Sequence, residues 1–213
     1  MTNLYNLRKD YKQDTLSKSD VDKNPIVQFE KWMNEALSSK IVIEPNTMTL
    51  ATSTPDGKPS ARVVLLKSFN KDGFVFYTNY DSRKAEELKV NPYACIVFDW
   101  HIIERQIRIE GIVKKVTPEE SDKYFKSRPE SSQLGAWISP QSSFIDGRQE
   151  LEDRKVKILS QFKEKPITRP PNWGGYVLMP YTIEFWQGRQ SRLHDRLIYI
   201  KTDDEWILRR LAP

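Results

Sequence analysis

Cysteine is almost absent from this chain: of 213 residues only Cys95 carries a thiol. That excludes an intrachain disulfide and any C-x-x-C redox or zinc pattern, and it fits a reducing compartment. Histidine is nearly as scarce, with His101 and His194 alone. A His-rich metal site therefore cannot be assembled, no H-E-x-x-H or EF-hand spacing occurs, and no metal is expected. The eight glycines form neither G-x-G-x-x-G nor G-x-x-x-x-G-K. This disfavours a doubly wound nucleotide fold and leaves any phosphate to be bound by side chains and a helix end. No apolar run approaches the roughly 20 residues of a membrane helix. The charged first 20 residues also lack the apolar core of a signal peptide, so the expected location is cytoplasmic, without a membrane partner.

What is present describes a soluble globular protein: 38% hydrophobic, 30% charged and 11% aromatic residues, in a chain long enough to bury a core. The 34 Lys and Arg against 29 Asp and Glu leave +5, an excess that suits phosphate-bearing ligands but is too small to point to nucleic acid. Residues 1–24 read as a polar arm, ordered only where something docks on it, and 25–213 as one domain. In 25–37 the apolar positions Ile26, Phe29, Trp32, Met33 and Leu37 recur at helical spacing behind Pro25. Strands follow over 47–54, 61–69 and 74–78, joined by the turns Pro55-Asp56-Gly57-Lys58 and Asn70-Lys71-Asp72-Gly73. A helix is predicted over 82–89, strands over 94–100 and 106–116, and a helix opened by Thr117-Pro118-Glu119-Glu120 that runs to about residue 127. A further helix fits 148–162, and strands fit 175–179, 182–186, 197–201 and 206–209. Sequential antiparallel strands with inserted helices argue for an α+β domain with a barrel-like sheet, since closure removes exposed edges.

Several charges stand where chemistry is plausible. Arg62 and Lys67 fall on opposite faces of one strand, so one faces inward or caps an end, unless both are strand-end charges reaching water. Ser82-Arg83-Lys84 places two cations at a helix start, where they oppose the macrodipole unless an anion binds there; a solvated helix end is the competing reading. Tyr124, Arg128 and Ser132 fall at four-residue intervals, although Pro129 should break the helix before Ser132 is reached. The segment 192–196 reads as a strand with Arg192, His194 and Arg196 on one face, where the guanidiniums would disfavour protonation of the imidazole. A surface strand explains the same residues.

Ten strings in order then carry a resemblance: Arg62-Val63-Val64-Leu65-Leu66-Lys67, Phe76-Tyr77-Thr78-Asn79, Ser82-Arg83-Lys84, Glu104-Arg105-Gln106, Tyr124-Phe125-Lys126-Ser127-Arg128-Pro129, Gln141-Ser142-Ser143, Trp173-Gly174-Gly175, Glu184-Phe185-Trp186-Gln187-Gly188, Arg192-Leu193-His194-Asp195-Arg196 and Arg210-Leu211-Ala212-Pro213. From about Leu7 to the last residue the chain resembles the pyridoxine/pyridoxamine 5'-phosphate oxidase family. The resemblance implies an FMN-binding split β-barrel, mainly antiparallel with flanking helices, and a homodimer with active sites at the subunit interface. It implies oxidation of pyridoxine or pyridoxamine 5'-phosphate to pyridoxal 5'-phosphate, with O2 as acceptor, yielding H2O2 and, from the amine, ammonia. By position it implies FMN contacts at Arg62, Val63, Val64, Leu65, Leu66, Lys67, Tyr77, Thr78, Arg83, Lys84, Gln106, Gln141, Ser142, Trp186 and Arg196. Substrate contacts are implied at Lys67, Tyr124, Arg128 and Ser132 for the phosphate and at Arg192 and His194, the catalytic candidates, for the ring. Arg8, Lys9, Asp10 and Tyr11 match a stretch able to close over the substrate. Pro140 departs from the family, where a basic residue tends to precede Gln-Ser-Ser, which touches a secondary product site and not the catalytic one. A different split-barrel flavoprotein and a basic RNA-binding module are the competing readings; Tyr124, Arg128 and the Arg192–His194 pair oppose the first, and the lack of a nucleic-acid motif opposes the second.

Overall fold

Period-two alternation of apolar and polar residues builds the centre of the molecule, because each strand buries one face and exposes the other. The computed structural model describes residues 2–7, 10–203 and 205–213. It places nine strands in one antiparallel sheet: β1 (Thr47–Ser53), β2 (Pro59–Leu65), β3 (Ser68–Asn70), β4 (Gly73–Asn79), β5 (Tyr93–Trp100), β6 (Arg105–Lys115), β7 (Trp173–Gln187), β8 (Asp195–Thr202) and β9 (Glu205–Leu211). The order is β2-β1-β5-β6-β7-β4-β3, with β8 on β7 and β9 on β8. Five helices flank it: α1 (Pro25–Ser39), α2 (Arg83–Val90), α3 (Pro118–Ser127), α4 (Glu130–Ile138) and α5 (Arg148–Gln161). The result is the α+β, curled antiparallel architecture expected from the pattern. Among the described residues no helix is long and apolar enough to cross a membrane.

Strand β7 organises the sheet. One edge pairs with β6 over Tyr176–Gln187, while the other pairs with β4 over Trp173–Leu178 and with β8 over Thr182–Gln187. The change of partner falls at a bulge: Glu110 pairs with Thr182 but Gly111 with Pro180, leaving Tyr181 extra. Two separate strands were expected here because Pro180 cannot donate to a ladder; the structure keeps one strand and puts the proline at the irregularity, where a missing N–H costs least. Gly111 is required opposite it, since a Cβ there would come within 2.4 Å of the Met179 carbonyl oxygen.

Helix α1 closes one side of the curled sheet. Asn24 caps it by accepting from the Ile26 amide at 2.9 Å, as its place before Pro25-Ile26 dictates. The apolar stripe then enters the core. Phe29 lies 4.8–5.2 Å from the rings of Phe69, Phe74 and Phe98, and Trp32 meets Phe185 edge-on at 5.1 Å. Each such side chain, fully buried, contributes about 1.5–3 kcal/mol. The arm is docked over its later part: Leu16 is buried in the core, the Lys12 and Gln13 amides donate to Glu104 Oε2 at 2.8 and 2.9 Å, and Tyr199 Oη donates to the Asp22 carbonyl.

Two local expectations are corrected. Pro129 ends α3, yet it also stands immediately before a new helix, its carbonyl accepting from Ser132 and Gln133; α4 was not foreseen because the proline was read only as a breaker. Residues 192–194 are not strand: Gln190–Arg192 form a 3-10 turn with Ser191 and Arg192 at φ +56° and +60°, and β8 begins only at Asp195. Thus Arg192, His194 and Arg196 do not share a strand face.

Candidate active site

A cleft of about 680 Å³ opens between β2, β4, the starts of α2 and β7, and the α3–α4 junction. Its lining includes thirteen of the residues singled out in the sequence: Arg62, Val63, Val64, Leu65, Lys67, Tyr77, Thr78, Lys84, Tyr124, Arg128, Ser132, Gln141 and Ser142. Pro129 and Trp173 line it as well, although neither was given a site role from the sequence. Leu66 turns into the core and spends its amide and carbonyl on Asn46, so it does not face the cleft.

The cations at the cleft are held in different ways. Glu87, nearly buried on α2, takes Thr52, Ser60 and Arg62 on Oε2 and Arg83 Nε on Oε1 at 2.9 Å. Thr52 and Ser60 hydroxyls in turn accept from Arg62, so the carboxylate orients the hydroxyls and the hydroxyls orient the guanidinium. Burial pushes Glu87 up, but the donated bonds from Ser60, Thr52 and Arg83 and the charge of Arg62 outweigh it and hold the carboxyl at about 2. Arg83 lies outside the cleft lining, clamped by Glu87 with its fork outward and its side chain 65% exposed. Among the described residues Lys84 Nζ meets neutral acceptors only: Thr78 Oγ1 at 3.1 Å, Ser82 Oγ at 3.2 Å and Gln141 Oε1 at 3.1 Å. Burial and then repulsion by Arg62 pull its pKa down to about 8.

Arg128 forms the other pole. Its guanidinium lies 4.6 Å from the Trp173 ring centroid, and its Nη1 is buried with no hydrogen-bond partner among the described residues. Burial lowers its pKa. Tyr124 stacks on Tyr77 at 3.9 Å, and Tyr77 on Trp173 at 5.6 Å, giving the cleft an aromatic wall. A buried donor without an acceptor costs about 1–3 kcal/mol, so this orphan on the Arg128 guanidinium marks a place built for an anion. The donor set fits a phosphate group at each pole, one at Arg62–Lys84 and one at Arg128.

The remaining candidates gather elsewhere. Gln106 pairs with Trp186, and Trp186 with Arg196, across β6, β7 and β8. Tyr11 meets Trp186 and His194 edge-on at 5.7 and 5.6 Å, and the Trp186 and His194 rings are 4.6 Å apart. Arg196 is bound to buried Glu184 at 2.7 Å and to the Ala212 carbonyl at 2.9 Å. His194 Nδ1 accepts from the Arg189 amide at 3.1 Å, so in the neutral ring the proton sits on Nε2; burial and then Arg192 lower its pKa and favour that neutral form. Arg192 is exposed beside it, Asp10 is exposed on the arm, and Arg8 and Lys9 lie outside the described residues. The two groups stand at opposite ends of β7: Tyr77 pairs with Gly175 and Gln106 with Trp186, eleven positions on. At about 3.3 Å per residue that is roughly 36 Å of strand, and the structure does not bring them onto one ligand within the chain.

Known proteins carry the same organisation. A family model described as pyridoxamine 5'-phosphate oxidase matches residues 34–161, and one described as the pyridoxine 5'-phosphate oxidase C-terminal dimerisation region matches residues 173–213. The chain is 55% identical over 208 residues to a pyridoxine/pyridoxamine 5'-phosphate oxidase of Nostoc punctiforme, covering 97% of both chains. It is 52% identical over 215 residues to the one of Paraburkholderia phytofirmans, covering 100% of both. Among solved structures, PhzG from Burkholderia lata 383, in complex with tetrahydrophenazine-1-carboxylic acid, superposes with TM-score 0.87 at 31% identity over 94% of this chain and 98% of that one. An FMN-binding protein of Nostoc punctiforme related to pyridoxamine 5'-phosphate oxidase shares the fold, with TM-score 0.70 at 20% identity over 87% of this chain and 97% of that one. With both halves of the cleft-bearing sheet matched and identity above half along nearly its full length, the chain belongs to the pyridoxine/pyridoxamine 5'-phosphate oxidase family.

Proposed function

We propose that this protein is a cytoplasmic, FMN-dependent homodimeric oxidase converting pyridoxine or pyridoxamine 5'-phosphate to pyridoxal 5'-phosphate, with O2 as final acceptor. One observation carries the reading: a single cleft holds two cationic poles whose charges lack bound carboxylates on the cleft side, Lys84 among neutral acceptors and Arg128 against a ring. Both a cofactor and a substrate that each bear a phosphate would satisfy it. FMN, when bound, supplies the acceptor for the hydride equivalent removed from the substrate's C4' carbon.

In this reading Arg62, Lys84 and the outward fork of Arg83 hold the cofactor phosphate, Glu87 fixing the two guanidiniums. Val63 to Leu65 and Tyr77, Thr78, Gln141 and Ser142 form the walls around it. Lys67, Tyr124, Arg128 and Ser132 hold the substrate phosphate, and that remote binding energy keeps the reacting carbon in place. Gln106, Trp186 and Arg196 complete the cofactor site, and Arg192 and His194 the substrate side, from the second subunit. The opposite-end placement along β7 and the match of residues 173–213 to a dimerisation region support this division. With Nδ1 engaged by the Arg189 amide, His194 presents Nε2–H as a donor, so it orients the substrate rather than abstracting a proton at Nε2. Tyr11, packed on His194 and Trp186, makes the arm the lid over that side.

Oxygen consumption with product identification tests the reading. Purified protein is expected to be yellow, to release stoichiometric FMN on denaturation and to oxidise phosphorylated far faster than unphosphorylated pyridoxine. Arg128→Ala should weaken substrate binding by about 1.5–3 kcal/mol, the loss of a charge-assisted contact, while FMN stays bound. Equal turnover of both forms by the unmutated enzyme would overturn it.

A further inference from the structure

We infer that Trp173 is a positioning residue that keeps the Arg128 guanidinium in place with its charge and donors unspent. The inference rests on the phosphate-clamp reading and adds to it the part played by the aromatic wall.

A half-buried guanidinium needs an electrostatic complement, and the molecule shows two kinds. Glu87 and Glu184 supply carboxylates, which take N–H donors and cancel charge: Glu184 alone takes Arg196 Nε at 2.7 Å and Arg108 Nη2 at 2.7 Å. A ring face attracts the cation through its quadrupole, takes no donor and leaves the net charge intact. Arg128 has the second kind. Its guanidinium carbon lies 4.6 Å from the Trp173 centroid and 5.7 Å from that of Phe125, its Nη1 has no partner, and among the described residues no carboxylate pairs with it. An acidic residue in place of Trp173 would hold the arginine equally well and occupy it.

The ring is itself fixed from three sides. Tyr77 stacks on it with 14° between planes, Phe125 meets it edge-on at 5.3 Å, and its carbonyl accepts from Arg169 Nη1 at 2.6 Å while Arg169 Nε binds Asp122 of α3. Gly175 is what admits Tyr77: a Cβ there would come within 2.8 Å of the Tyr77 Cε1 atom. The string Trp173-Gly174-Gly175 thus works as a unit, the tryptophan supplying the face and the second glycine the room for the ring stacked upon it.

The test uses the holoenzyme, with KM and kcat measured on phosphorylated and unphosphorylated pyridoxine. Trp173→Met removes the ring and keeps a long apolar side chain; Trp173→Phe keeps a smaller ring. The expected result is that Trp173→Met raises KM for the phosphorylated substrate about tenfold and Trp173→Phe about threefold. The rise should fall on KM rather than kcat, without an equal rise for the unphosphorylated substrate. In an Arg128→Ala background Trp173→Met should add little, because the residue it positions is gone. Equal KM increases on both substrates, additivity with Arg128→Ala, or unchanged KM in Trp173→Met would each overturn the inference. If Trp173→Met fails to fold, as thermal melting would show, the same split in Trp173→Phe decides. A wild type that does not prefer the phosphorylated substrate would instead defeat the clamp reading on which the inference rests.

Discussion

The two ends of β7 treat positive charge in opposite ways. At the far end five guanidiniums are paired, exposed Arg192 standing apart: Arg196 and Arg108 share Glu184, Arg189 and Arg210 share Asp195, and Arg105 binds Asp14 and Glu35. At the cleft end Lys84 has hydroxyls and an amide, and Arg128 has a ring. A carboxylate partner stabilises a cation and takes up part of its donors and charge; a neutral partner holds it with its charge uncancelled. The difference sets charges that mainly build the molecule apart from charges that await a ligand; Arg62 and Arg83, tied to Glu87, and Arg196, tied to Glu184, stand between the two.

The most decisive way to break this comparison is to separate the ends onto different chains. Assayed at a substrate concentration well below the raised KM of Arg128→Ala, Arg128→Ala and His194→Ala subunits should each turn over slowly alone, but after unfolding and refolding together they should regain roughly a quarter of wild-type turnover. Random pairing makes half the dimers mixed, each with one intact site. No recovery would mean that both ends serve one ligand within a chain. Next in size is Glu87→Gln. Glu87 accepts on both oxygens, so the amide must turn its NH2 either toward Arg83 Nε–H or toward the hydroxyls that Arg62 already uses. We expect a fall of several degrees in Tm and about a tenfold loss of FMN affinity, with riboflavin, which lacks the phosphate, much less affected; flavin fluorescence titration reads both. An equal loss for the two flavins would reduce Glu87 to a scaffold.

A smaller effect sharpens the charge argument. The Lys84 pKa is lowered, so in the empty cleft the ammonium is present below about pH 8 and lost above it. Phosphate favours the protonated form; FMN affinity should therefore decline as pH rises through about 8, and Lys84→Arg should flatten that decline. A flat wild-type profile between pH 7 and 9 would remove Lys84 from the anion site. The smallest change is expected at the paired end. Arg196→Ala leaves Glu184 still bound by Arg108, so the stability cost should stay near 1–2 kcal/mol by denaturant melts, with FMN loosened less than in Glu87→Gln.

How far the sequence discloses this depends on how local the physics is. Strand alternation, Pro25 and the Thr117 cap are local, and most strands and helices they announce lie where expected to within a few residues; the strand over 61–69 instead breaks after Leu65 into β2 and β3, so Arg62 and Lys67 both reach the cleft. Proline misled twice, because its effect depends on which partner needs the missing N–H: Pro180 sits at a bulge inside one strand, and Pro129 begins α4 as well as ending α3. The alternation over 192–196 also misled, since Ser191 and Arg192 take left-handed backbone that no side-chain pattern reveals. Within the site, the residue pattern alone left Arg62, Lys84 and Arg128 open between ligand contacts and solvated charges, and the resemblance singled them out. Trp173 was given no role: a tryptophan at a strand start reads as core, and only the three-dimensional stack shows what rests against its face.

The bulge at Tyr181 has a consequence for how this chain tolerates change. Because β7 belongs to both ends, its length acts as a ruler, and losing or gaining one residue would reverse the inward and outward sides of everything beyond that point. The extra residue already present compensates such a step, setting Trp173 and Gly175 at one end and Glu184 and Trp186 at the other in their working phases. Insertions and deletions should accordingly be rare along 173–187 and concentrate in the exposed stretch around α5, where no buried side chain depends on register.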